Sequence, residues 1–130
     1  MKTTANLAMA VICSMLMSGT VLASNGVEPV VDAEVTYDYL VDQTETVKAN
    51  ASDIYNVTLK KGETFYIYVS GDGDTDLDLF VYDENDNMVD SDVEGDDECL
   101  CVVTPKWTGK FKIKIKNYGN VYNRYHFYIL

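Results

Sequence analysis

The chain has 130 residues, with 21 acids against 10 bases and a formal net charge of −11 at neutral pH. A balance that negative keeps a protein in solution and argues against nucleic acid or anionic lipid as a partner. One histidine and three cysteines leave little material for a zinc centre or a catalytic triad.

The first element in chain order is a targeting segment. Lys2 precedes the apolar run "LAMAVICSMLM" and then "SGTVLAS", where Val21 and Ala23 satisfy the small-residue rule of signal peptidase. Cleavage is expected after Ala23, so residues 1 to 23 read as a signal peptide and the rest as an exported protein, extracellular or periplasmic. A lipoprotein anchor at Cys13 is disfavoured, because Ile12 stands where a small residue is needed. No later apolar stretch is long enough to span a bilayer. Residues 24 to 44, acid-rich and carrying "VEPVVD", read as a leader that either adds one strand, "EVTYDYL", or stays mobile.

From residue 45 to the end the chain alternates. "IYNVTL" (54 to 59), "TFYIYV" (64 to 69), "LDLFVY" (77 to 82), "KFKIKIK" (110 to 116) and "RYHFYIL" (124 to 130) all have period two and are rich in β-branched and aromatic residues. "CLCVV" (99 to 103) is a weaker sixth strand, and "ETVKA" and "MVDS" are short candidates. Between them lie the turn signals "KKGE", "SGDGDT", "DENDN", "EGDD", "PKWTG" and "NYGN". No segment of helical length has a helical period. Seven or eight short antiparallel strands, each with one apolar face, predict an all-β sandwich. Its core should contain Leu77, Leu79, Val81, Phe111, Ile113 and Ile115, leaving Asp76, Asp78, Phe80 and Tyr82 on the opposite face of one strand and Lys110, Lys112, Lys114 and Lys116 on that of another. If those strands are neighbours, cross-strand ion pairs account for Asp76 and Asp78.

Two stretches, "YNVTLKKGETFYIYVSGDGDTDLDLFVYDENDNMVDSD" and "VVTPKWTGKFKIKIKNYGNVYNRYHFYIL", resemble the bacterial pre-peptidase C-terminal domain over residues 45 to 130. "DTDLDLFVYD" and "WTGKFKIKIKN" are the most specific parts, through their order and spacing. The resemblance implies a secreted β-sandwich of jelly-roll type, a non-catalytic module that usually trails a secreted peptidase. It is similar to the collagen-binding modules of clostridial collagenases, some of which bind calcium. With no catalytic domain beside it in this chain, the module is expected to act alone or to join a partner. An extracellular protein or polysaccharide, or a separately encoded secreted peptidase, would be that partner.

The candidate sites follow. Acids crowd one region: 13 lie between Asp72 and Glu98 with no Lys or Arg among them, while five of the nine bases after Lys2 lie between Lys106 and Lys116. Asp72, Asp74 and Asp76 alternate around Gly71 and Gly73, where side-chain and carbonyl oxygens together could hold calcium. The stretch is no EF-hand, since Leu77, or Met88 if the loop began at Asp83, stands where its glycine belongs. Tyr66 and Tyr68 should face outward, and Tyr118 and Tyr122 lie on a loop; their flat rings with polar tips suit sugars or extended polypeptide. Outward tyrosines also simply favour strands. Cys99 and Cys101 share one face of a strand, where a disulfide across one residue is geometrically poor and two buried thiols are the better expectation. His126, the lone histidine, has no nucleophile motif around it, so no catalytic residues are expected.

Overall fold

The computed structural model describes residues 2–4 and 36–130, with side chains from Tyr39 onward. The chain divides into two units, Met1–Tyr39 and Leu40–Leu130. In the first, strand β1 (Lys2–Thr4) pairs antiparallel with β2 (Thr36–Asp38). Apart from Lys2–Thr4, the expected signal peptide, residues 1 to 23, lies outside the described residues, as does most of the leader, 24 to 44.

The second unit holds eight antiparallel strands: β3 (Val41–Val47), β4 (Ser52–Leu59), β5 (Phe65–Ser70), β6 (Leu77–Tyr82), β7 (Met88–Asp92), β8 (Glu98–Val103), β9 (Gly109–Asn117) and β10 (Asn123–Ile129). The strand signalled by "ETVKA" thus begins earlier, at Val41, because "VDQTETV" lies in register against the whole of β10. The strands form two sheets of four, in the orders β3-β10-β5-β8 and β4-β9-β6-β7. Neighbours in sequence such as β3 and β4 fall in different sheets, and the first strand of the unit pairs with the last. That interleaving is the jelly-roll arrangement expected from the resemblance.

Alternation places the core where it was expected. Leu77, Leu79, Val81, Ile113 and Ile115 are fully buried, and Phe111 nearly so, packing against Ile67, Val69, Phe127 and Ile129 of the other sheet. Among these inward side chains lies a polar thread. The buried Tyr125 hydroxyl donates to Asp53 Oδ2 at 2.7 Å and takes a hydrogen bond from the Tyr55 hydroxyl, so both phenolic oxygens are engaged. Burial drives the Tyr125 phenol far above its ordinary pKa, and its bonds to Tyr55 and Asp53 act in the same direction. Cys99 and Cys101 are free buried thiols, as the strand geometry implied, and Cys99 Sγ donates to the Leu77 carbonyl at 3.0 Å.

On one side of the sandwich the two edge strands, β7 and β8, are stitched by carboxylates. Asp92 Oδ2 accepts from Leu100 N at 2.8 Å, Asp90 Oδ2 from Val102 N at 2.8 Å and Asp96 Oδ1 from Glu98 N at 3.0 Å. Alternate amides along β8 are therefore capped, which denies an incoming strand the donors it would pair with.

Candidate functional site

The acid-rich turn between β5 and β6 is a latch. Gly71 N donates to the Asp97 carbonyl (2.9 Å), and the nearly buried Asp97 carboxylate accepts from Gly73 N (2.6 Å) and Asn123 Nδ2 (3.0 Å). A Cβ on Gly71 would lie 2.1 Å from Asp97 Oδ2, so the close approach requires glycine, and Gly73 sits at φ +87°. Asp72 accepts from Arg124 N at 2.9 Å and from Asp74 N at 3.2 Å. Its oxygens thus fasten the turn to β10 and to itself.

Of the three residues proposed for calcium, Asp72 is engaged in this way and Asp74 is exposed. Asp76 has a buried Oδ1 without a hydrogen-bond partner among the described residues. The structure does not gather the three: among the described residues no group of three or more His, Cys, Asp or Glu side chains is arranged to hold a metal. Asp78 stands opposite Lys116 in the β6–β9 register, yet the expected ion pair does not form; Lys116 Nζ donates to the Asn50 carbonyl instead. Asp78 is only 8% exposed, although its neighbours Leu77 and Leu79 face the core on the other side. Burial, with Asp76 and then Asp92 close by, raises its pKa.

The outer face of the sheet containing β5 carries the aromatic cluster. Tyr66 and Tyr68 point outward as alternation requires, each half-buried. Tyr68 lies opposite Tyr128 of β10, their rings stacked at 6.1 Å, and His126 stacks on Tyr128 at 3.9 Å. His126 Nε2 meets Asp42 Oδ1 at 2.7 Å, and Nδ1 meets the Tyr128 hydroxyl at 2.8 Å. An ionised carboxylate can only accept, so Nε2 carries a proton, and in the neutral imidazole the Tyr128 hydroxyl donates to Nδ1. The Tyr68 hydroxyl donates to Glu98, which also accepts from Ser70 Oγ at 2.6 Å. Burial and then that carboxylate drive the Tyr68 phenol well above its ordinary value, so it stays a neutral donor.

Tyr118 and Tyr122 are strongly exposed but make no ring contact with this cluster; Tyr118 lies under Lys116 Nζ at 5.4 Å. The structure therefore joins Tyr68 to Tyr128, His126, Asp42 and Glu98, sets Tyr66 on the same face opposite Val102, and leaves the loop tyrosines apart. Alternation of "RYHFYIL" put His126 and Tyr128 on one face, but nothing local said that β10 lies beside β5. A separate groove of about 330 Å³ runs between Val89, Val102 and the loop bearing Pro105 and Trp107.

The chain is similar to the pre-peptidase C-terminal domain of a collagenase from Bacillus anthracis, with a TM-score of 0.52 and 15% identity, over 69% of this chain and 90% of that one. It is also similar to a periplasmic inhibitor of g-type lysozyme from Aeromonas hydrophila, with a TM-score of 0.52 and 11% identity, over 68% and 82%. At such identities the likeness is one of fold, the β-sandwich of a pre-peptidase C-terminal domain. No protein-family model and no curated protein sequence matches the chain.

Proposed function

We propose that the protein is an exported, non-catalytic accessory module that binds an extracellular protein or surface polymer through the tyrosine face of the β5 sheet. The observation that carries this reading is the Tyr68–Tyr128–His126 stack, held flat by Glu98 below Tyr68 and Asp42 beside His126. Rings fixed this way lose little freedom when a ligand settles on them, which favours affinity. One similar structure is a domain of a collagenase and the other a periplasmic lysozyme inhibitor, which supports an extracellular or periplasmic setting.

Calcium belongs to this proposal with Asp76 as its focus, since the buried, unpartnered Oδ1 is an oxygen that a cation would satisfy. The test is retention of the purified protein, with calcium and with chelator, on fibrillar collagen and gelatin beside cellulose and chitin. Binding to a polypeptide matrix supports the accessory reading; binding to the polysaccharides alone moves the assignment to a carbohydrate-binding module. Failure on all four matrices sinks both.

The base-free acidic stretch from Asp72 to Glu98 favours a second reading, an inhibitor of a cationic cell-wall hydrolase. Inhibition of a g-type lysozyme at near-stoichiometric protein would establish it, and unaffected cell lysis would remove it.

A further inference from the structure

The opposite face of the sandwich carries a concentration of positive charge. β9 is flanked by β4 and β6, and the registers set out a grid: Ile54, Lys114 and Phe80 in one row, Asn56, Lys112 and Tyr82 in the next, with Ser52, Lys116 and Asp78 before them and Thr58 and Lys110 beyond. Lys112 Nζ lies 5.0 Å from the Tyr82 ring centre and Lys114 Nζ 5.8 Å from that of Phe80. Only Lys112 has an acidic partner, Asp86; among the described residues no carboxylate pairs with Lys110, Lys114 or Lys116. In a chain with twice as many acids as bases, three aligned and unneutralised ammonium groups are not what random placement gives. The single carboxylate that these strands set on this face, Asp78, is all but buried.

We propose that this face binds a carboxylated polysaccharide, as a site separate from the tyrosine face. The lysines supply charge complementarity to uronate groups, and Phe80, Tyr82 and the 56%-exposed Ile54 supply apolar ground for the faces of the sugar rings. An acidic peptide is the less suited occupant: a sheet face, unlike an edge, offers no backbone donors or acceptors for an extended chain to pair with. The acids elsewhere on the molecule oppose an anionic polymer only weakly at physiological ionic strength, where the Debye length is about 8 Å.

The experiment is affinity electrophoresis of the purified protein through gels containing polygalacturonate, dextran or poly-L-glutamate. Wild type should be retarded by polygalacturonate and not by dextran. The triple variant Lys110→Gln/Lys114→Gln/Lys116→Gln should lose about tenfold or more in affinity, the product of three charge contacts, with an unchanged melting transition. Phe80→Leu, which keeps the packing volume, should weaken binding severalfold without altering its salt dependence. Tyr66→Ser/Tyr68→Ser should bind polygalacturonate as wild type does, which separates this site from the tyrosine face. Equal retardation of the triple variant, absence of retardation of wild type, or equally tight binding to poly-L-glutamate would overturn the proposal.

Discussion

Asp78 and Asp83 sit at opposite ends of one strand and respond to pH in opposite senses. Asp83 is held below the usual carboxylate range by the Asn87 side chain, against the cost of burial, and by the backbone amides of Asn87 and Asn85. Its contribution is therefore present above the unfolded pKa and lost as pH falls through the folded one. Asp78 is raised, first by burial and then by Asp76 and Asp92, so its ionisation works against the fold. That penalty is absent below the unfolded pKa and sets in as pH rises through the folded value. Asp83→Asn should lower the melting temperature at pH 7 and Asp78→Asn should raise it, both differences shrinking toward pH 3 in thermal scans. A stabilising cation at Asp76 would reverse the second sign, because Asp78 would then have a counter-charge; calcium binding should raise stability by about 2.7 kcal/mol at a hundredfold excess over Kd. Scans in which Asp76→Asn keeps the full calcium shift would show that the ion is not held by Asp76, and scans of wild type with no calcium shift would show that none is bound. Asp78 was legible as an outward residue from its position between Leu77 and Leu79. Its burial was not, because that depends on what the Asp76 and Asp92 segments do above it.

At the level of strands, the core was readable from period alone, since Leu79, Val81, Ile113 and Ile115 alternate with polar residues along their own strands. Leu79→Ala should cost roughly 2–5 kcal/mol, measured by urea unfolding, as the surrounding side chains cannot close the cavity. What alternation does not carry is which strands become neighbours: it gave the faces of β5 and β10 but not the meeting of Tyr68 with Tyr128, nor that of Asp42 with His126. The aspartates of β7 show the same limit. "MVDS" hinted at a short strand, yet that Asp90 and Asp92 cap the amides of β8 follows only from the stacking of the two edges. Replacing both with alanine should destabilise the domain by about 1–3 kcal/mol, the net worth of two hydrogen bonds. It should also open β8 to pairing, seen as concentration-dependent self-association in sedimentation velocity. A double variant that stays monomeric and as stable as wild type would show that water serves those amides equally well.

The unit Leu40–Leu130 is a sandwich with chemically different outer surfaces. One sheet presents stacked tyrosines, the other lysines over rings, and the acids are concentrated between Asp72 and Glu98 in the turns and edge strand. Under the proposed function the tyrosine face carries ligand rather than merely covering the sheet. Tyr68 also packs on Tyr128, so Tyr66→Ser/Tyr68→Ser should cost about 1–2 kcal/mol and lower the melting temperature by roughly 5–10 °C while leaving one cooperative transition. The most direct measurement is retention of that variant, at a temperature where it is fully folded, on whichever of collagen, gelatin, cellulose or chitin holds the wild type. The folded double variant should wash through; retention equal to wild type would show that the tyrosine face only covers the sheet.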